Sequence, residues 1–234
     1  MFPTMLQEKR ARRERRFVVL TLSVSMLLGM IAFGWLYGPA YVAYWNYAPQ
    51  EGDVLFQSLP FSPVVKAIEG ASHSPYSHCG IVASENGRWV VLEAYHGVEV
   101  TPLKEFVFRG RDQGFAVYRL KPDRQQFVPA TIMHAQKYLG RPYDSRYRMD
   151  DERIYCSELI YKAYRDAAQG EQLGTLVRLG DLDWRPYEQT IKALEGGEVP
   201  VEREMIAPRD LARAEQLELV LAHRIKAEQH SASP

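Results

Sequence analysis

Two hydrophobic regimes divide the chain. Residues 17–50 carry no Asp, Glu, Lys, Arg or His, and the strongly apolar part of that stretch covers residues 17–37. At about 1.5 Å of rise per residue, those 21 positions reach about 32 Å as a helix, enough to cross a hydrocarbon core of about 30 Å. From Glu51 onward the apolar residues come in short or alternating runs separated by turn residues. That pattern belongs to a folded domain of strands and amphipathic helices.

Within the second regime, Asp53-Val54-Leu55-Phe56-Gln57 follows Gly52 and predicts a strand, with a short helix over 64–68 after it. Residues 78–83 and 89–95 predict two strands joined around Asn86-Gly87, the strongest short-range hairpin signal. Residues 97–100 and 115–120 predict two more. Pro129 opens a helix to Leu139 that Gly140 and Pro142 close, and a second helix runs from Cys156 to about Ala168, stopping near Gly170. Residues 184–194 read as helical, and 217–221 as a late strand or short helix. The fold class this predicts is α+β, an antiparallel sheet flanked by helices, plus one N-terminal transmembrane helix. Residues 57–75, with three prolines beside His78, are a candidate lid.

Charge placement adds a topology. Six Lys and Arg residues between positions 9 and 16 precede the apolar run, and Trp35, Tyr37, Tyr41, Tyr44, Trp45 and Tyr47 stand at its far end and beyond. A basic flank stays in the cytoplasm and an aromatic belt marks the far interface. The expected organisation is therefore a basic cytoplasmic segment (1–16), a transmembrane anchor with its belt (17–45), a folded domain (46–224) and a flexible tail (225–234). A cleaved signal peptide is the alternative, but its apolar region is usually 7–15 residues and no Ala-x-Ala site follows here. Setting aside the first 16 residues, which hold six of the 29 basic and two of the 29 acidic side chains, leaves a net charge of −4. Such a domain has no electrostatic case for nucleic acid.

The candidate chemistry lies in Ser77-His78-Cys79-Gly80-Ile81 and Tyr155-Cys156-Ser157-Glu158-Leu159. A two-residue turn at Asn86-Gly87 pairs Glu85 with Arg88 and Gly80 with Glu93, making His78 and Glu93 diagonal neighbours on one face. A carboxylate there would orient the imidazole and raise its proton affinity, the base half of a nucleophilic triad. Cys156 sits where a charged loop gives way to apolar residues at helical spacing, so its sulfur would stand at a helix N-terminus that favours thiolate. Cys79 and Cys156 are the only cysteines, and an oxidising compartment permits a bridge between them. Strand parity argues against it: if His78 faces Cys156, Cys79 faces away. His73, His78, Cys79, Glu93 and His96 cluster in sequence without any zinc-motif spacing, so no metal or cofactor is expected.

Taken in order, Gly52-Asp53-Val54-Leu55-Phe56, Tyr76-Ser77-His78-Cys79-Gly80-Ile81-Val82, Leu92-Glu93-Ala94, Gly97-Val98, Gly140-Arg141-Pro142-Tyr143-Asp144 and Tyr155-Cys156-Ser157-Glu158-Leu159-Ile160 resemble the YiiX/YebB-like proteins. These are circularly permuted papain-fold cysteine hydrolases, relatives of NlpC-type cell-wall peptidases and, more distantly, of lecithin-retinol acyltransferase. The resemblance covers residues 51–169 and extends to about 222. It implies Cys156 as nucleophile, His78 as base and Glu93 as orienting residue, with Tyr143 and Tyr155 as oxyanion candidates. The anchor lies outside the resemblance; with it, the expectation is a bacterial inner-membrane protein with its C-terminal domain in the periplasm, and the family and that location together imply cleavage of an amide or peptide bond in peptidoglycan stem peptides. A lipid ester or amide hydrolase or acyltransferase is a second expectation, favoured by a large apolar groove beside Cys156. A non-catalytic membrane-tethered binding domain is a third, favoured by a Cys79–Cys156 bridge. The family often has an apolar residue where Cys79 stands.

Overall fold

A computed structural model describes residues 5–228, with side chains from residue 12. Residues 1–4 of the basic segment and 229–234 of the tail lie outside the described residues. The chain divides into two compact units, one ending at Trp45 and one beginning at Asn46. The first is the body of helix α1 (Met5–Asn46), whose Arg12–Asn46 portion is long and apolar enough to cross a membrane.

In the second unit, β1 (Val54–Gln57) leads to α2 (Pro63–Ala71), which Ser62 caps by accepting from the Val65 N–H at 3.1 Å. Val65, Ala67 and Ala71 of α2 are buried. The stretch expected to be a lid thus contains a regular, core-packed helix, which counts against that role. Strands β2 (His78–Glu85) and β3 (Arg88–Ala94) follow, then β4 (Val98–Pro102), α3 (Leu103–Arg109) and β5 (Phe115–Leu120). The later elements are α4 (Val128–Gln136), α5 (Cys156–Ala167), β6 (Val177–Arg178), α6 (Glu188–Glu195), β7 (Glu204–Met205), α7 (Pro208–Ala212) and β8 (Leu217–His223).

The main sheet has the order β4-β3-β2-β1-β5-β8 and every pairing is antiparallel. Asn86 and Gly87 both take positive φ, 51° and 73°, as a type I′ hairpin turn requires. The register runs from Glu85↔Arg88 to Gly80↔Glu93, as the turn predicts. The β2–β3 pairing ends there; His78 pairs only on its other side, with Gln57 of β1, and Tyr95 lies just past the end of β3 with its ring 5.7 Å from that of His78.

Period-two alternation sorts the sheet into two faces. Cys79, Ile81 and Ala83 of β2 and Leu92 and Ala94 of β3 join the core cluster that includes Leu159, Ile160 and Ala163 of α5. Gly80 and Glu93 belong to the other face, where α3 packs: a Cβ on Gly80 would stand 2.3 Å from Val91 Cγ1 and 3.1 Å from Phe106 Cε2. Of the two alternatives for the late segment the strand holds, as β8 on the sheet edge beside β5. One expectation changes. The segment expected to be a loose tail is tied back at Glu228: its carbonyl accepts from Tyr118 Oη at 3.0 Å and its carboxylate pairs with Arg213 at 2.8 Å.

Candidate active site

Cys156 is the first residue of α5, and the extended Tyr155 before it (φ −103°, ψ 169°) sets the chain turning into the helix. The Tyr155 N–H donates to Glu158 Oε2 at 3.1 Å, and Ser157 Oγ donates to the Ile206 carbonyl at 2.8 Å. Lys162, one turn on, holds Glu158 at 2.8 Å. These contacts fix the helix start, where unsatisfied N–H groups favour a negative sulfur.

His78 is 2% exposed, and its Nε2 lies 2.5 Å from Glu93 Oε2. With Nε2 committed to the carboxylate, Nδ1 is left for the Cys156 sulfur, to which the ring also hydrogen-bonds. Arg109 Nη2, from the end of α3, meets the same Glu93 oxygen at 2.5 Å, and its guanidinium lies 4.1 Å from the Tyr95 ring centroid. Burial disfavours charge on His78, but the Cys156 sulfur and then Glu93 outweigh it and push its pKa up to about 9. Burial likewise opposes ionisation of Glu93, and hydrogen bonds from His78 and Arg109 overcome it, holding the carboxyl at about 2.

The cysteine pair departs from expectation. Cys79 does face the α5 side of the sheet, opposite Glu93, as parity requires. It nevertheless hydrogen-bonds the Cys156 sulfur through its side chain, while His78 reaches the same sulfur. The supposed exclusion fails because His78 is the first residue of β2, where β3 no longer covers it, so its ring can pass the sheet end. Both cysteines are free thiols and both are buried. The hydrogen bond from Cys79 is the largest influence lowering the Cys156 pKa, against burial, with His78 adding to it. Burial and the sulfur beside it push the Cys79 thiol up.

The two oxyanion candidates separate. Tyr155 Oη donates to Met149 Sδ at 3.1 Å and accepts from the Ile206 N–H at 3.0 Å, which commits it to holding the link between β7 and α7 against the start of α5. Tyr143 Oη donates to Tyr147 Oη at 3.4 Å, and both rings sit near enough to Cys156 for its charge to raise their pKa values after burial has done so. Sequence reasoning missed Tyr147 and Arg109. Tyr147 takes a positive φ of 54°, unusual for a bulky side chain, which nothing in its local sequence announces. Arg109 had one signal: a buried carboxylate beside a histidine calls for a cation.

The paired residues lie in a two-lobed cleft. One lobe, about 760 Å³ with its open mouth included, reaches Cys156 and is walled by α2, α6 and the Met205-Ile206 segment. The other, about 860 Å³ on the same measure, reaches His78, Tyr95 and Tyr143. Ser77, Ser145 and Tyr147 border both.

A cysteine opening a helix and a strand histidine braced by a carboxylate, on an antiparallel sheet with the histidine first in the chain, define a thiol hydrolase of the permuted papain type. The chain belongs to the family described as "Permuted papain-like amidase enzyme, YaeF/YiiX, C92 family", which matches residues 48–221. It is similar to the uncharacterized protein YiiX of Escherichia coli strain K12, 33% identical over 205 residues that cover 85% of this chain and 93% of that protein. It is also similar to the crystal structure titled metalloprotein yiiX from Escherichia coli O157:H7, with a TM-score of 0.68 and 34% identity, covering 76% of this chain and 99% of that one.

Proposed function

We propose that this chain is a membrane-anchored thiol hydrolase that cleaves an amide bond through a thioester on Cys156. The observation that carries the reading is His78, bonded on one side to the Glu93–Arg109 pair and on the other to a sulfur at a helix N-terminus. The sulfur attacks the carbonyl carbon, a C–S bond forms, the C–N bond breaks, and the imidazolium gives its proton to the departing nitrogen. Water then attacks the thioester, losing its proton to His78, and the carboxylate leaves as the thiol is restored. The Cys156 backbone N–H, at the start of α5, and Tyr143 are the donors proposed for the developing oxyanion.

The substrate was expected to be a peptidoglycan stem peptide, with a lipid acyl group as the alternative. A stem peptide calls for cations to meet its carboxylates, and of the two arginines at the Cys156 lobe, Arg203 is already paired with Glu195 at 3.0 Å. The apolar walls of that lobe favour the acyl alternative. The free cysteines and the His78 bond give no support to a non-catalytic binding domain. The description of one relative as a metalloprotein does not transfer readily: among the described residues, no three His, Cys, Asp or Glu side chains gather to hold a metal ion. No step is assigned to one.

Labelling with iodoacetamide tests the proposal on the full chain, the Cys156→Ala variant and the His78→Ala variant. Labelling faster than a free thiol at pH 7, abolished without Cys156 and slowed at least tenfold without His78, is expected. Rapid labelling that survives loss of Cys156 sinks the nucleophile, and a rate indifferent to His78 sinks the base.

A further inference from the structure

Cys79 is a buried thiol that the hydrolase reading does not use. It is 0% exposed on β2, and both its backbone N–H and its side chain hydrogen-bond the Cys156 sulfur. A buried cysteine by itself is usually a small apolar filler. This one is held at two points against a second sulfur, and the two are the only cysteines of the chain. Both are free thiols. Their access is unequal: Cys156 borders the cleft, whereas Cys79 borders neither lobe. A small reagent entering the cleft therefore meets Cys156 first, and reaches Cys79 only through it.

A thiolate is the form of cysteine that peroxides oxidise, and the sulfenic acid so formed condenses with a neighbouring thiol. We infer that Cys156 and Cys79 form a reversible oxidation site for hydroperoxides, Cys156 reacting first and Cys79 closing a disulfide on it. The Cys156 sulfur attacks the peroxide, an S–O bond forms, the O–O bond breaks, and the departing oxygen takes the proton of the His78 imidazolium. The Cys79 sulfur then attacks the Cys156 sulfur, an S–S bond forms, the S–O bond breaks, and hydroxide leaves as water with the Cys79 proton. The two sulfurs together lose two electrons and the peroxide gains them. Burial keeps the proton on Cys79 until that step, so it waits as a thiol. The bridge withholds the nucleophile, and exchange with a dithiol returns both cysteines. Loss of hydrolysis on bridging rests on the thiol hydrolase reading above; the bridge itself does not.

The test exposes the full chain in lipid nanodiscs to excess hydrogen peroxide and reads both cysteines by mass spectrometry after digestion. The expected result is a cross-linked peptide joining Cys79 to Cys156, loss of iodoacetamide labelling at Cys156, and recovery of nearly all of it with dithiothreitol. In Cys79→Ala, dimedone should trap the sulfenic acid on Cys156. Without dimedone it should pass to sulfinic acid, and dithiothreitol should then recover less than about a tenth of the labelling. In Cys156→Ala, Cys79 should oxidise at least tenfold more slowly than Cys156 does in the unaltered chain. Sulfinic acid on Cys156 of the unaltered chain without a cross-link, or the same recovery with and without Cys79, overturns the oxidation site and leaves the hydrolase reading standing. A cross-link that forms in a chain whose Cys156 is labelled no faster than a free thiol overturns the hydrolase reading and leaves the oxidation site standing.

Discussion

In the proposed chemistry, Cys156 depends on three neighbours that act on its sulfur or on the base beside it. A depressed thiol and an imidazole raised to about 9 keep the thiolate–imidazolium pair populated between those two values. Below the lower limit the sulfur takes a proton, and above about 9 His78 loses its own. Alkylation of Cys156 should therefore rise at a pH well under the ordinary thiol value, while kcat/KM for an amide substrate falls above about 9. Replacing Cys79 by Ala removes the hydrogen bond that does most to favour thiolate, so the acid limb of the alkylation profile should move to higher pH; an unmoved limb would show Cys79 to be mere filling. Glu93→Gln takes the negative partner from His78, so the alkaline limb should move below 9 and kcat should fall by roughly 10²–10⁴-fold. That His78 and Glu93 share a face was legible because parity and the hairpin turn fix it, and that Cys156 opens a helix was legible from the apolar spacing after it. Contact of Cys79 with Cys156 was not, since parity gives the face of a side chain and not the height at which a helix start meets the sheet.

At the scale of elements, the β2–β3 hairpin was legible to the residue because Asn86-Gly87 sets both turn type and register. Helix α3 was not, although Leu103, Phe106 and Val107 have helical spacing, because seven residues give too short a periodic signal. The β6–β7 ribbon, two residues to a strand and paired across more than twenty positions, leaves no pattern at all. Yet α3 matters most to the site, since it carries Arg109 to Glu93 and Phe106 to within 5.7 Å of the His78 ring. Gly80 sets how closely α3 can approach, with Val91 and Phe106 occupying the space a side chain would need. Gly80→Ala should lower unfolding stability by about 1–3 kcal/mol in urea titration, as overpacking of a tight core does. Because the displaced elements carry Arg109, iodoacetamide labelling of Cys156 should slow in the same variant under conditions where it stays folded. Full stability together with full reactivity would show that the α3 interface yields without cost.

For the whole molecule, the two hydrophobic regimes of the sequence reappear as two compact units, one helical through Trp45 and one built on its own sheet and core from Asn46. What the sequence withheld was strand order: β1 lies between β2 and β5, and β8 returns to the edge across some hundred residues, pairings that depend on packing remote in the chain. The apolar stretch of α1 is exposed along its length, with Leu20, Leu27, Ile31 and Phe33 each more than half accessible. Water does not tolerate a continuous apolar cylinder of that length, whereas a bilayer does. With the basic residues on its N-terminal side, the helix should hold the catalytic unit on the outer face of the membrane. Cell fractionation of the full chain bearing tags at both ends tests this: both tags should stay together in the membrane pellet through high salt and alkaline carbonate, leaving it only with detergent. A chain beginning at residue 46 should be soluble and keep His78-dependent labelling of Cys156, since its core closes without the helix. Loss of the N-terminal tag from the mature band would convert the anchor into a cleaved signal, and release by carbonate would remove the membrane from the account while leaving the chemistry of the cleft intact.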